Sequence, residues 1–258
     1  MRKYKQYKFS IIIPSFNQGK FIKQTIESII SQRYPNLEIF VVDGGSSDDT
    51  VKILKSFGRK IKWISEKDKG QTHAINKGLK EVSGDIIAYL NSDDYYLPDT
   101  LKIVSEYFTN NPQCYWLSGD YIIVNEKGKK IQKYIKIYKK ILRLKPTFYL
   151  LLVTNFINQP STFFRKELIN NIGLFNQSLN YCMDYDYCIR AYKKYKLHVL
   201  NNNLSCFRIH GASKGGSEYQ NQFKEEYFIA KQYTKNYLIL LAHKLHNYAI
   251  LLIYNIIK

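Results

Sequence analysis

Two carboxylates stand side by side in the stretch GDIIAYLNSDDYYLPD, at Asp93 and Asp94. They follow the apolar run Ile86 to Leu90, which reads as a buried strand. Adjacent like charges at a strand end either cap a solvated turn or hold something positive. Hard divalent cations take carboxylate oxygens, and Mg²⁺ commonly uses one or two of them together with substrate phosphates. A second acidic pair, Asp184 and Asp186, lies in MDYDYCIR. Residues two apart do not share a helix face, so these two acids have different jobs. Asp186 has Arg190 at i+4, which is a structural pairing. Asp184, at or before the helix start, is freer to enter a cleft, where a carboxylate can act as a general base. In CFRIHGASKG, His210 is a candidate metal or phosphate ligand, and Arg208 and Lys214 are candidates for phosphate. A lone histidine is more often packed or solvated.

The elements that must position these residues alternate. Phe9 to Ile13, Leu37 to Val42, Ile61 to Ser65 and Asp85 to Leu90 read as strands. Lys20 to Gln32, Asp49 to Phe57 and Gln71 to Val82 read as helices from their apolar spacing. Continuous apolar strands separated by helices predict a parallel sheet covered on both faces. Ligands of such sheets bind at the carboxyl ends of the strands. The polar clusters PSFNQG, DGGSSDDT, EKDKG and NSDD all fall there. No GxGxxG and no GxxxxGK[ST] occurs, so neither a dinucleotide fingerprint nor a P-loop is supported.

The second half is less regular. Pro98 to Phe108 predicts a helix with proline at its start. YWLSGDYIIVNEKGKKIQKY predicts a hairpin turning near Lys127–Gly128. Ile131, Tyr134, Ile135, Tyr138, Ile141 and Leu142 also fit one helical face, leaving strand and amphipathic helix both open. Asp184 to Tyr195 predicts a helix, Leu197 to Leu200 a short strand, and the last forty residues a helical tail.

Among the 258 residues, 45% are hydrophobic, enough for a sizeable core, and 39 Lys and Arg face 21 Asp and Glu for a net charge of +18. That excess attracts anions such as phosphorylated small molecules, an acidic membrane surface or nucleic acid. Nine basic and no acidic residues fall between Lys127 and Lys145. A nucleic-acid module would need steeply salt-dependent binding, and the acids at the strand ends would repel a phosphate backbone. The four cysteines form no CxxC pair, which suits reduced thiols in a reducing compartment. The three-residue apolar run before Pro14 is too short for a signal peptide, so a cytoplasmic chain is expected. The tail segment YLILLAHKLHNYAILLIYNIIK is interrupted by His243, Lys244, His246 and Asn247. It fits a surface-lying or ordinarily packed helix better than a membrane span.

Taken in order, SIIIPSFNQGKFIKQTIESIISQ, VVDGGSSDDT, EKDKGQTHAINKGLKEVSGDIIAYLNSDD, MDYDYCIR and FRIHGASKG resemble the family 2 glycosyltransferases of the GT-A fold. The resemblance covers about residues 8 to 215 and is weakest over Tyr121 to Phe156. It implies an α/β fold, a Rossmann-like, mostly parallel sheet flanked by helices. The catalytic domain would be 1–217, with a nucleotide-sugar half at about 8–110 and an acceptor half at about 111–217. Residues 218–258 would be a tail at a membrane surface or packed on the domain.

The resemblance further implies a metal-dependent, inverting, hexosyltransferase-type enzyme of surface polysaccharide biosynthesis. Its donor would be a nucleotide-diphospho-sugar and its acceptor a glycan or lipid-linked glycan, at the inner face of the cell membrane, with no nucleic acid as partner. Pro14, Ser15, Asn17, Asp43, Asp68, Asn76 and Asp93 would meet the donor, with Asp43 at the base and Asp93 by the ribose. Asp94 and His210 would hold Mn²⁺ or Mg²⁺, and Asp184 would be the base. Met183 stands where the family usually has Glu, and Tyr187 where it has Leu. The alternative of a sugar nucleotidyltransferase needs a basic Gly-rich loop that PSFNQGK lacks.

Overall fold

A computed structural model describes residues 6–211 and 219–257. The seven residues of β1 (Phe9–Ser15) are all buried, as a central strand of branched apolar residues requires. On one side β1 pairs in parallel with β2 (Leu37–Asp43), which pairs with β3 (Lys62–Ser65). On the other it pairs in parallel with β4 (Ile86–Tyr89). Helices α1 (Ile22–Ile30), α2 (Thr50–Ser56) and α3 (Gln71–Glu81) connect them. In α1, Ile22, Ile26 and Ile29 recur at i, i+4 and i+7 and are fully buried. On α3, a Cβ at Gly78 would lie 2.5 Å from the Ile12 side chain. Glycine is what lets the helix sit directly on β1.

Beyond β4 the sheet becomes mixed. The strand order is β3-β2-β1-β4-β7-β6-β8-β5. β7 (Thr162–Arg165) runs antiparallel to both β4 and β6 (Trp116–Asn125). β8 (His198–Ile209) is parallel to β6, and the two-residue β5 (Tyr95–Tyr96) is antiparallel to β8. The mostly parallel expectation therefore fits the first four strands, and beyond β4 parallel and antiparallel pairs mix. β8 has twelve residues where a four-residue strand was expected. Its pairing with β6 shifts register on either side of Asp120, a bulge that bends the strand. The expected hairpin shrinks to a single bridge between Val124 and Lys130. The segment after it is a helix, α5 (Lys133–Leu142).

α4 (Thr100–Asn110), α6 (Phe148–Val153), α7 (Lys166–Ile172) and α8 (Met183–Lys194) complete the covering layers. Two tail helices follow, Tyr219–Tyr233 and Tyr237–Ile257. Polar residues that interrupt the last helix seat it on the domain. His243 is buried and its Nδ1 lies 2.7 Å from the Leu152 carbonyl, Asn247 bonds His243, and His246 meets the Tyr138 hydroxyl at 2.7 Å. No helix among the described residues is long and apolar enough to cross a membrane. The four cysteines are unpaired and buried.

Candidate active site

The carboxyl ends of β1, β2 and β4 place most of the candidate residues along one edge. Asp43, the last residue of β2, is fully buried. Its carboxylate accepts from the Gly45 and Ser46 amides at 3.2 and 2.9 Å and from the Ser46 and Ser65 hydroxyls at 2.5 and 2.6 Å. The Asp-Gly-Gly turn thus wraps its own acid. Asn17, after β1, takes a left-handed φ of 51°, which asparagine tolerates. It holds the same loop through Ser46 and Ser47. Asp68 accepts from the Gly70 amide at 2.8 Å and lies against Gly44, where a Cβ would meet its carboxylate at 3.0 Å. Pro14 and Ser15 close β1 beside them, paired with Val42 and Asp43. The buried Ser15 hydroxyl finds no hydrogen-bond partner among the described residues. An orphaned hydroxyl of this kind calls for an explanation, and a bound ligand is one.

At the end of β4 the two adjacent carboxylates diverge. Asp94 is fully buried, and its Oδ1 accepts the Arg208 amide at 2.8 Å. Its main-chain carbonyl accepts the Thr25 hydroxyl at 2.6 Å. Burial, with the Asp93 charge beside it, pushes the Asp94 carboxyl well above the ordinary range. Asp93 is 19% exposed along its side chain, and its Oδ2 lies 3.0 Å from His210 Nε2. His210 follows the last residue of β8 and rests on the Phe21 ring at 4.7 Å. Asp93 faces the histidine, and the Asp94 carboxylate lies between the Arg208 amide and the Asn91 side chain.

Arg208 is not placed to meet a phosphate. It is buried, donates to the carbonyls of Asp93 and Glu126 at 2.8 Å each and to Gln24 Oε1 at 2.6 Å, and lies over the rings of Phe21 and Tyr95. Its work is to lash the NSDD turn to β8. Asn76 also lies apart from the strand-end cluster. Both ends of its buried amide engage the Phe175 backbone at 2.9 Å. Lys214 falls outside the described residues.

Asp184 sits in the first turn of α8, half-buried. It borders a small cavity lined also by Tyr89, Gln159, Phe175 and Tyr187. Burial raises its carboxyl above the usual range, against the pull of the Tyr185 amide and the nearby charge of Lys139. Asp186, as the spacing predicts, pairs with Arg190 at 2.9 Å. It also accepts the Tyr233 hydroxyl at 2.7 Å.

Sequence reasoning missed the polar residues that link the two acidic centres. Gln159 donates to the Tyr89 carbonyl at 2.8 Å. Asn91 donates weakly, at 3.4 Å, to both Gln159 and Asp94. Gln71, at the start of α3, donates to Asn91 at 2.7 Å. Asn91 was legible as the first polar residue after the strand. Gln159 follows no pattern that would have singled it out.

Among the described residues no three His, Cys, Asp or Glu side chains gather into a ready metal cage. The Asp93–His210 pair offers one oxygen and one nitrogen donor, a set that Mn²⁺ or Mg²⁺ accepts when phosphate and water complete the shell.

Residues 10–173 match the family model described as glycosyl transferase family 2. An uncharacterized glycosyltransferase of Rickettsia conorii is 30% identical over 84% of this chain, and the match spans 36% of that protein. The UDP-Glc:alpha-D-GlcNAc-diphosphoundecaprenol beta-1,3-glucosyltransferase of Escherichia coli is 36% identical over 53% of this chain and 56% of its own length. The Pyrobaculum calidifontis mannosyltransferase solved with GDP-Man and Mn²⁺ superposes with a TM-score of 0.71 at 18% identity, covering 92% of this chain and 69% of that one. The S. aureus TarS fragment solved with UDP-GlcNAc gives 0.68 at 21% identity, covering 86% of this chain and 65% of that one. These structural likenesses establish the GT-A fold.

Proposed function

The chain belongs to glycosyl transferase family 2, and from that premise we propose that it transfers a sugar from a nucleotide-diphospho-sugar to an acceptor hydroxyl, inverting the anomeric carbon. The observation that carries this reading is the convergence of three features at one sheet edge. They are the loop around Asp43 and Ser15, the Asp93–His210 pair, and Asp184 beside the cavity at the end of β4.

In this reading the nucleoside lies over Pro14, Ser15, Asn17, Asp43 and Asp68. Ser15 Oγ supplies a hydrogen bond left unused among the described residues. Asp93 and His210 hold a divalent ion, which when bound would neutralise the leaving diphosphate as a Lewis acid. Asp184 takes the proton of the acceptor hydroxyl. As that oxygen bonds to the anomeric carbon, the bond from carbon to diphosphate breaks on the opposite face. A carboxyl raised by burial is a stronger base than an exposed one, which suits general-base work. Asn76 serves the fold through Phe175 and Asp94 serves it through Arg208.

The donor is taken to be UDP-linked and the acceptor a glycan on a lipid diphosphate, as the name of the E. coli relative suggests. In this reading the enzyme works in envelope polysaccharide synthesis, at an anionic membrane surface. α5 supports the membrane contact, since none of its residues is buried. Tyr134, Ile137 and Ile141 form an outward apolar stripe at helical spacing, Tyr134 being 86% exposed. Lys133 and Lys140 stand exposed on the same helix. Apolar residues bordered by lysines suit the boundary of an anionic bilayer. Arg143, just past the helix, is buried in an ion pair with Asp120 and anchors that stripe to the domain.

Nucleotide release from a panel of UDP-, GDP- and ADP-sugars, with Mn²⁺ or with EDTA, tests the proposal. Release from one donor class, lost with EDTA and in Asp184→Asn, is expected. No release from any donor, with or without a lipid-diphosphate acceptor, would overturn it.

A further inference from the structure

The helix that carries Asp184 is held at its entry by a carboxylate from the tail. Glu225 Oε1 accepts the Asn180 amide at 2.9 Å, and its Oε2 accepts the Tyr181 and Cys182 amides at 2.7 Å each. These are three successive N–H groups, and they end at Cys182, the residue just before α8. Backbone N–H groups aimed together at one point form an anion-binding concavity. Hydrogen bonds to an ionised acceptor are roughly twice as strong as neutral ones. The same tail helix, Tyr219–Tyr233, grips α8 at two more points. The Gln222 carbonyl lies 3.3 Å from Cys182 Sγ, and the Tyr233 hydroxyl donates to Asp186 at 2.7 Å. Asp184 stands two residues after Cys182 and Asp186 two residues after that. The first turn of α8 is therefore fixed from both sides by one helix that lies outside the 10–173 family match.

We propose that Glu225 is a positioning residue for the transfer reaction. It acts on no substrate, and it sets where Asp184 points by clamping the turn Asn180–Cys182. The proposal rests on the reading of Asp184 as the base. A carboxamide at position 225 would turn an NH₂ group toward at least one of the three amides, and the turn would open. A misplacement of about 1 Å costs on the order of 10²-fold in rate. The donor pocket lies on β1 and β2, so donor binding is untouched.

The test compares Glu225→Gln, Glu225→Asp, Asp184→Asn and the double variant Asp184→Asn/Glu225→Gln. The probes are UDP-glucose, UDP-GlcNAc and UDP-galactose with Mn²⁺ and a GlcNAc-diphosphate lipid. The expected result for Glu225→Gln is a fall in kcat of about tenfold or more with donor KM changed by less than about twofold, with partial rescue in Glu225→Asp. The double variant should be no slower than Asp184→Asn, because two residues acting through one group are not additive. Amide hydrogen exchange at Asn180–Cys182, which needs no substrate, should speed up by about tenfold or more in Glu225→Gln. Unchanged exchange, an unchanged kcat, or an additive loss in the double variant would overturn the clamp. Full transfer by Asp184→Asn would instead overturn the base reading, whatever Glu225 does.

Discussion

Asp93 Oδ2 lies 3.0 Å from His210 Nε2, joining the end of β4 to the end of β8 across 117 residues of chain. The neighbouring Asp94 turns the other way, into the backbone of Arg208. The divergence does not cancel the repulsion of the two adjacent carboxylates, since the Asp93 charge adds to burial in raising Asp94. One acid is partly exposed beside the His210 ring, and the other is buried with its carboxyl pushed upward.

The two acids should therefore fail differently. Asp93→Asn and His210→Ala should each weaken Mn²⁺-dependent UDP binding by about tenfold or more, measured by titration calorimetry, with little change in melting temperature. Asp94→Ala should leave the Arg208 amide unpaired in a buried site, at a cost of about 1–3 kcal/mol. That is a drop of several degrees in Tm for a chain of this size. Equal loss of metal binding in Asp94→Ala, with no loss of stability, would restore the ion to Asp94.

Asp184→Asn should remove transfer and raise stability at neutral pH. Burial raises the folded-state carboxyl above its unfolded value. The folded chain then holds the proton more tightly than the unfolded one. Stability from this group is present below the unfolded pKa and is lost as pH rises through the folded pKa. The asparagine variant has no such loss, so its Tm advantage should grow with pH across that window. Wild-type transfer should rise over the same window as the base ionises. Thermal melts of both proteins between pH 4 and 8 check the sign, and an advantage that shrinks with rising pH would contradict it.

Glu226, one residue beyond the clamp, is buried and raised to about 7, chiefly by that burial. Its contribution also fades as pH rises, here between the ordinary carboxylate range and about 7. Glu226→Gln should melt higher than wild type at pH 8 and nearly equally at pH 4. A pH-independent difference would place the effect in packing.

The outward stripe of α5 should carry membrane binding. Sedimentation with vesicles containing phosphatidylglycerol at low salt should fall by about tenfold or more in Tyr134→Ser/Ile141→Ser. It should fall progressively in Lys133→Gln/Lys140→Gln, by about 1 kcal/mol per lysine. Equal pelleting of all three proteins would remove α5 from the contact.

The first four strands were legible because each is a continuous apolar run with a polar turn behind it. The motif order made the strand-end site legible as well. The contacts of Asp93 and Asp94 were not, because both reach β8 or the residue after it, more than a hundred residues later. Asn201–Asn203 break its apolar pattern in sequence, and the register shift at Asp120 lets the strand continue past them. The tail reads as an appendage from its aromatic, interrupted pattern. Glu225, His243 and Tyr233 tie it to α6 and α8 through contacts that no local periodicity encodes.

The anomeric configuration of the transferred sugar tests the central claim most directly. With an α-linked UDP-sugar, the one-bond and vicinal couplings of the product's anomeric proton in NMR should report a β-linkage, the outcome of a single in-line attack by a hydroxyl that Asp184 has deprotonated. An α-linked product would mean retention and would contradict that account.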